Sequence, residues 1–233
     1  MAFPLSEFLK RNVRGYLLSD LQTLRLATPP TGPDGYVGYP MAMACISGIE
    51  LMGLLLTYQN PKIDDGLQNF SHFWKRYVYA ADAKKAALGG AVYELVRHGV
   101  AHTFLTKAGV QISKNNTNHL QMVGEVVNVD VLTLHTDFLS AYESVEGVLL
   151  GHQTDPAIDV AQVQARLDKL LAEFQASADS LRGNLKKNAA AAAPEPPVAG
   201  DTHFSTSAGT GASTTLVNFV PSGLNVSKAP GQT

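Results

Sequence analysis

The chain has few charged residues, a single cysteine and almost no net charge. Charged residues make up 16% of its 233 residues and hydrophobic residues 45%, a balance that indicates a well-buried core rather than a disordered chain. The net charge of −2 provides no global positive field. This argues against a protein that coats nucleic acid through its overall charge, but not against an enzyme that contacts a few nucleotides.

The scarcity of cysteine also bears on the compartment. Cys45 has no second cysteine with which to form an intramolecular disulfide, so we expect a reducing, cytoplasmic environment. Residues Met1 to Lys10 lack the apolar core of a signal peptide. The segment from Val37 to Tyr58 is apolar and about long enough to span a bilayer, but a carboxylate near its middle, Glu50, costs about 2.5–3.5 kcal/mol on insertion. We therefore expect a core helix there and no membrane partner, with a membrane span as the alternative.

Apolar residues recur at helical spacing along most of the chain. After the fourth helix, residues 110–127 alternate apolar and polar side chains around Asn115-Asn116-Thr117, which predicts a short β-hairpin. Asp130 and Asp159 are the expected N-caps of the last two helices. The predicted fold class is mainly α, a helical bundle with a small hairpin and a long C-terminal helix. The helices are predicted over 4–27, 40–59, 66–84, 86–107, 131–150 and 160–187.

The domain organisation follows from a change of composition. Residues 1–188 are predicted to form the bundle domain, and residues 189–233, which are rich in Ala, Pro, Gly, Ser and Thr, a flexible tail. Within that tail, the apolar stretch 214–220 has the alternative of adding a strand or acting as a docking peptide. The narrow apolar seam of the helix over 160–187 either packs on the bundle, which we expect, or pairs with a second copy.

A polar cluster interrupts the apolar helix predicted over 86–107. Burial of polar groups is costly, so Arg97, His98 and His102 on a core helix indicate a use for these side chains. Residues four apart share one face of a helix, which places Glu94, His98 and His102 in one stripe with Arg97 at its edge.

Three kinds of chemistry fit this cluster. A structural network would pair Arg97 with an acid, either Glu50 or Glu94. A phosphate site would use the planar charge of arginine to bind phosphate oxygens and a histidine as acid or base, a set that cleaves RNA through its own 2′-hydroxyl without metal. A metal site would combine His98, His102 and Glu94. Further metal ligands would then come from His72, His119 and His135.

The six residues Arg97-His98-Gly99-Val100-Ala101-His102 resemble the arginine–polar–three residues–histidine motif of the HEPN family (higher eukaryotes and prokaryotes nucleotide-binding domains). A coarser resemblance in the order of helices covers residues 4–150. The resemblance implies a HEPN-like bundle that forms a homodimer through the motif helices. It also implies a metal-independent endoribonuclease, without cofactor, of a toxin–antitoxin, phage-defence or RNA-processing system.

The resemblance also implies roles for the motif residues. Arg97 would hold the scissile phosphate, His102 would be the general acid or base, and His98 would orient the site. We expect Glu94 and Glu50 to support them. The hairpin, the long last helix and the tail lie outside the family pattern.

Charge and aromatic residues suggest where RNA would bind. Residues 66–107 carry six basic and two acidic side chains, a net charge of +4 that leaves −6 for the rest of the chain. Lys75, Arg76 and Lys107 are the candidate RNA-binding residues, with the alternative that this basic region is only the solvated side of two helices. Nearby aromatic residues are expected in the core, with base stacking as the alternative. They are His72, Trp74 and Tyr77.

Two functions from different classes therefore remain open. The first is the HEPN-like endoribonuclease, with RNA, a second copy and an antitoxin or other protein as expected partners. The second is a non-catalytic helical interaction or nucleotide-binding module in which the arginine–histidine cluster is structural.

Overall fold

The computed structural model describes residues 3–27, 37–57, 65–97, 99, 108–114 and 117–191. Contacts divide the chain into two units, Met1–Lys186 and Lys187–Thr233. The first unit is mostly helical with a small three-stranded sheet, which confirms the predicted fold class at this coarse level. The tail from residue 192 onward, including the stretch 214–220, lies outside the described residues.

The first predicted helix, 4–27, is present as one helical run of three parts. They are α1 (Leu5–Phe8), a π-helical segment (Leu9–Leu18) and α2 (Ser19–Leu26). Most of its apolar side chains are buried in the core, whereas Tyr16 and Leu26 are exposed. The side chain of Gln164 anchors the start of the run, because its Oε1 accepts from the Leu5 N–H (2.6 Å) and its Nε2 donates to the Phe3 carbonyl (3.0 Å).

The second predicted helix is α3 (Gly38–Leu56), and it lies in the middle of the bundle. Residues on all sides of it are buried, as its nearly continuous apolar sequence predicts. At Gly53 it meets the next helix so closely that a Cβ atom would overlap the backbone of Asn69. Only glycine fits this crossing.

Helix α3 is also the segment for which the sequence left a membrane span open. It has the length and the hydropathy, a mean of 1.6, to cross a bilayer. However, 56% of its most apolar window is buried inside the protein, as in the core helix of a soluble protein. This arrangement agrees with the predicted core helix.

The prediction of one helix over 66–84 is wrong at its C-terminal end. Helix α4 (Gly66–Phe73) continues as a π-helical segment (Trp74–Val78), and the chain then leaves the helical conformation at Tyr79 (φ −124°, ψ 37°). A new helix, α5 (Ala83–Ala87), follows because the Asp82 carboxylate accepts the N–H groups of Lys84 and Lys85 and caps its start.

The fourth predicted helix, 86–107, begins earlier and is interrupted. A break at Leu88 separates α5 from α6 (Gly89–Val92), which runs into a π-helical segment (Tyr93–Arg97). Gly89 lies against the indole of Trp74, leaving no room for a side chain at the break. Residues 100–107 lie outside the described residues.

The aromatic side chains of this region form part of the core. Phe70, Phe73 and Trp74 are fully buried, and Phe70 stacks on Trp74 with ring centroids 5.1 Å apart. Tyr77 is partly buried and stacks on Phe73 at 5.1 Å. The core role predicted for Trp74 and Tyr77 is confirmed.

The predicted hairpin over 110–127 is a sheet with different pairing. Strands β1 (Val110–Ser113), β2 (Gln121–Val123) and β3 (Val126–Asp130) lie in the order β1-β3-β2. Only β2 and β3 form an antiparallel hairpin, whose two-residue turn has Gly124 at positive φ (65°), whereas β1 pairs with β3 in parallel. The prediction that the strand from Val110 pairs across the Asn115-Asn116 turn is therefore wrong.

The last two helices agree with the sequence. Helix α7 (Val131–Leu149) is capped by Asp130, whose carboxylate accepts the Thr133 N–H, and helix α8 (Val160–Ala191) by Asp159, which accepts the Ala161 N–H. The N-terminal half of α8 packs on the bundle through Val163, Leu167 and Leu170. Its position is fixed further because Arg166 Nη1 donates to the Leu55 carbonyl at the end of α3 (2.9 Å).

A partly buried ion pair joins the first π-helical segment to α7. Arg14 Nε donates to both carboxylate oxygens of Glu146 (2.7 and 2.8 Å), and Tyr142 Oη donates to Oε1 (2.8 Å). Burial alone would raise the pKa of Glu146, but these hydrogen bonds outweigh it and lower the pKa. The contact ties residues more than 130 positions apart.

Candidate functional site

Arg97 ends the π-helical segment that follows α6. In such a segment each turn is wider than in an α-helix, and π-turns occur often at functional sites. Tyr93 and Arg97, four residues apart, both reach the same carboxylate on α3. The Arg97 side chain is 33% exposed, so it is neither sealed in the core nor fully solvated.

The carboxylate is that of Glu50, as the sequence predicted for a charge buried in α3. Tyr93 Oη donates to Glu50 Oε2 (3.2 Å), and Arg97 Nε lies 3.6 Å from the same oxygen. Burial, with the Glu50 charge, raises the pKa of Tyr93 to about 12, so the hydroxyl keeps its proton and remains a donor. The same carboxylate oxygen of Glu50 thus accepts from Tyr93 and faces Arg97.

The contact between Glu50 and Arg97 is electrostatic rather than a hydrogen bond. A separation of 3.6 Å exceeds the range of an N–H···O hydrogen bond, and Arg97 Nε is buried without a hydrogen-bond partner among the described residues. Ion pairs of this exposure contribute up to about 1 kcal/mol to stability. The pair therefore orients the arginine more than it stabilises the fold.

Arg97 and Glu50 line an open cleft of about 180 Å³ between α3, α4 and α8. This volume is below the roughly 300–1,000 Å³ of ordinary small-molecule pockets, so a dinucleotide would extend beyond it. Ser47 and Asn69 add polar groups, whereas the rest of the wall is apolar. The apolar residues are Leu51, Leu54, Leu170 and Phe174.

The described residues test only part of the predicted site. The structure brings Arg97 and Glu50 together, and Glu94 is half-buried beside Tyr93, whose pKa its charge helps to raise. The two motif histidines and one candidate RNA-binding residue lie outside the described residues. These are His98, His102 and Lys107.

The two described RNA-binding candidates lie elsewhere. Lys75 and Arg76 are exposed on the π-helical segment after α4 and are not among the described residues that line the cleft. The guanidinium of Arg76 lies over the ring of Tyr77 at a centroid distance of 5.9 Å, just within the limit of about 6 Å for a cation–π contact.

Sequence reasoning missed Tyr93, Ser47 and Asn69 as parts of this site. Tyr93 offered a signal, because it lies one helical turn before Arg97 and carries a polar tip on an otherwise apolar face. Ser47 and Asn69 gave none, since only the packing of α3 against α4 brings them to the cleft.

A second polar network, unrelated to the motif, is centred on His119. Its Nδ1 accepts the Asp130 N–H (3.0 Å), so the proton of the neutral ring is on Nε2, which faces Tyr79 Oη at 2.9 Å. Tyr79 in turn donates to Asp137 Oδ2 (2.8 Å). The three hydrogen bonds therefore all run the same way, with each donor pointing from the Asp130 N–H towards the carboxylate of Asp137.

Burial sets the protonation of this network. It lowers the pKa of His119 to about 4, against the opposing charge of Asp137, and it raises the pKa of Tyr79. Asp137 borders a separate open cleft of about 380 Å³ that also contains Arg25 and three threonines. Neutral His119 and the Tyr79 hydroxyl therefore hold the Asp137 carboxylate in place at the edge of this cleft.

These contacts also bear on the metal hypothesis. Both ring nitrogens of His119 are engaged in hydrogen bonds, and His135 Nδ1 faces Arg25 Nη1 at 3.4 Å. Within the part of the chain that the structure describes, no group of three His, Cys, Asp or Glu side chains is placed to hold a metal ion.

Comparisons with protein-family models, with curated proteins and with solved structures found no match. The resemblance to the HEPN family therefore depends on the six motif residues and on the helical plan. The geometry around Arg97 is the structural observation on which a functional hypothesis can build.

Proposed function

We propose that the protein is a HEPN-like, metal-independent endoribonuclease that works as a homodimer. The observation that supports it is the placement of Arg97, which is one-third exposed at an open cleft and lies beside the Glu50 carboxylate that Tyr93 holds. A phosphate-binding arginine needs this combination of a fixed direction and access to solvent.

The chemistry requires one cation and one group that transfers protons. The Arg97 guanidinium would bind the non-bridging oxygens of the scissile phosphate and stabilise the charge that develops on them. His102 would take the proton of the attacking 2′-hydroxyl or supply one to the leaving 5′-oxygen. His98, at the polar position of the motif, would orient the site.

The size of the cleft supports a site shared between two copies. At about 180 Å³ it has room for little more than one phosphate group and its ribose. A second copy facing the first would supply a second arginine and a second histidine, so that one histidine acts as the base and the other as the acid. The same arrangement would lengthen the surface available to RNA.

RNA cleavage by the purified full chain in the presence of EDTA tests this function. We expect cleavage of single-stranded RNA by the wild-type protein, a loss of about 10²–10³-fold in Arg97→Ala and of about 10²–10⁴-fold in His102→Ala. Arg11→Ala, which removes an arginine of the first helical run, is the matched control and should keep full activity.

Two results would contradict the proposal. One is a wild-type protein that cleaves no RNA in a diverse single-stranded pool. The other is cleavage that EDTA abolishes or that Arg97→Ala leaves unchanged, because the activity would then depend on a metal or on a different site.

The second candidate is a non-catalytic interaction module in which the Arg97–Glu50–Tyr93 network is structural. The mainly apolar wall of the cleft favours it, because apolar grooves typically bind protein segments. This candidate predicts that Arg97→Ala lowers the free energy of unfolding while the wild-type protein is inert on RNA. The enzyme hypothesis predicts a stable Arg97→Ala variant without activity.

A further inference from the structure

The cleft beside Asp137, called the Asp137 cleft below, has the size of a small-molecule site. It lies between the end of α2, which contributes Arg25, the loop before β2, which contributes Thr117, and the first two turns of α7, which contribute Thr133, Thr136 and Asp137. Its volume of about 380 Å³ falls within the roughly 300–1,000 Å³ of ordinary ligand pockets, unlike that of the cleft at Arg97.

The carboxylate of Asp137 is the exposed end of the buried network described above. Tyr79 and His119 are 5% and 4% exposed, whereas the Asp137 side chain is 27% exposed. Tyr79 Oη donates to Oδ2, and no described residue donates to Oδ1. Burial of a histidine and a tyrosine hydroxyl is costly unless both are hydrogen-bonded. Here the buried bonds fix the position of a carboxylate that keeps one oxygen open, as a binding group requires.

Arg25 brings the opposite charge to the same cleft. Its Nη1 faces Thr136 Oγ1 at 3.3 Å and His135 Nδ1 at 3.4 Å, both long contacts. Within the described ranges of the chain, Arg25 forms no ion pair with an acidic side chain, and the one ring nitrogen near the Asp137 carboxylate belongs to neutral His119 (3.8 Å). The cleft therefore contains a positive and a negative group that do not neutralise each other.

We propose that the Asp137 cleft binds a small zwitterion, a molecule that carries both an ammonium group and a carboxylate. Asp137 accepts N–H groups of the ammonium, and Arg25 donates to the carboxylate oxygens of the ligand. A ligand with one charge leaves one of these two protein groups without a partner, which makes the site selective for zwitterions. Asp130, the other acid of the cleft, does not compete, because it is 1% exposed and its Oδ1 accepts from Thr133.

The position of the two charges on α7 sets the kind of zwitterion. Arg25 contacts Thr136, and Asp137 is the next residue of the helix. Successive side chains of a helix point about 100° apart, so the two charged groups face the cleft from neighbouring sides of α7. A ligand that bridges them is an amino acid, either an α-amino acid or one with its amine further along the chain. The distance between its charges is what a series of amino acids of increasing length measures.

NMR titration of the full chain with glycine, β-alanine, 4-aminobutyrate and 6-aminohexanoate tests the site. We expect at least one of them to bind with a dissociation constant between about 10 µM and 1 mM. Asp137→Asn and Arg25→Gln should each weaken its binding about tenfold or more. The matched controls Asp20→Asn and Arg182→Gln, which change exposed side chains away from the cleft, should leave it unchanged. Circular dichroism of each variant checks that the fold is retained.

Ligands with a single charge separate direct contact from a structural role. The amine and the carboxylic acid that match the best zwitterion in length should each bind the wild-type protein about tenfold more weakly or worse. Asp137→Asn should not weaken binding of the carboxylic acid any further, whereas loss of structure would weaken binding of every ligand alike. If a variant does not fold, the comparison of the three ligands on the wild-type protein still decides.

Three results would overturn the inference. They are no binding of any amino acid of the series at concentrations on the order of 10 mM, equal affinity for the zwitterion and for one of its singly charged analogues, and unchanged binding in folded Asp137→Asn and Arg25→Gln. The Asp137 cleft shares no described residue with the cleft at Arg97, so this test can fail while RNA cleavage succeeds, and the reverse.

Discussion

The buried histidine on the loop before β2 should make the stability of the protein depend on pH. His119 is 4% exposed, and burial lowers its pKa to about 4 from an ordinary value near 6.5. Protonation would also set a ring N–H against the Asp130 N–H that now donates to Nδ1. The folded protein therefore binds this proton less readily than the unfolded chain does.

The direction and the size of the pH effect on stability follow from this difference in pKa between the folded and the unfolded protein. A group whose pKa is lowered on folding makes its full contribution to stability above the unfolded pKa, and the contribution is lost as the pH falls towards the folded pKa. The loss amounts to about 1.4 kcal/mol per pH unit between pH 6.5 and pH 4. Between pH 7.5 and pH 4.5, His119 alone should lower the free energy of unfolding by about 2.5 kcal/mol.

Urea unfolding of the wild-type protein and of His119→Asn at several pH values measures this effect. The asparagine Oδ1 keeps an acceptor for the Asp130 N–H but does not titrate. At pH 7.5 we expect the variant to be less stable by about 1–2 kcal/mol, because it loses the hydrogen bond to Tyr79.

The difference in stability between the wild-type protein and His119→Asn isolates the contribution of His119. His72 and His135, whose pKa values burial also lowers, are present in both proteins and cancel in the difference. Towards pH 4.5 the stability difference should shrink to zero or reverse. A difference that stays constant from pH 7.5 to pH 4.5 would refute the assignment of a neutral, buried His119.

Two further predictions concern packing and the ion pair. Gly66→Ala should destabilise the protein by about 1–3 kcal/mol in urea unfolding, because a methyl group would collide with the Tyr93 hydroxyl and with the Glu50 carboxylate. Gly90→Ala, which has open space around it, should be neutral or slightly stabilising. Equal effects of the two substitutions would contradict the tight packing at Gly66. Glu146→Gln should lower the free energy of unfolding by about 2–3 kcal/mol at pH 7, since it weakens the bonds to Arg14. This difference from the wild-type protein should shrink as acid protonates the wild-type carboxylate. A difference that does not depend on pH would contradict an ionised Glu146.

The long helices could be predicted from the sequence because their signals are local. Apolar spacing and the capping carboxylates of Asp130 and Asp159 define α7 and α8 without reference to the rest of the chain. The Glu50–Arg97 contact was predicted for a related reason. A charge in an otherwise apolar helix needs a partner, and few cations were available.

Features that depend on distant parts of the chain were not predicted. The break at Tyr79 follows from the position of its hydroxyl between His119 and Asp137, which lie 40 and 58 residues away. The parallel pairing of β1 with β3 likewise depends on where the bundle places β1. Helical spacing alone contains no information on either contact.

The point at which α8 becomes exposed could not be predicted from the spacing of its apolar residues either. The sequence left open whether the seam packs on the bundle or pairs with a second copy. In the structure Val163, Leu167 and Leu170 are buried, whereas Phe174, Leu181 and Leu185 are exposed. A continuous apolar seam does not show where its covering surface stops.

The most direct measurement of the proposed function is the chemistry of the RNA ends produced by the full chain in EDTA. Attack by the 2′-hydroxyl predicts fragments that end in a 2′,3′-cyclic phosphate, and no cleavage where the scissile nucleotide is 2′-deoxy. We expect both results for the wild-type protein and fragments that appear about 10²–10³-fold more slowly for Arg97→Ala. Cleavage of the 2′-deoxy substrate, or fragments from Arg97→Ala at the wild-type rate, would contradict the proposal.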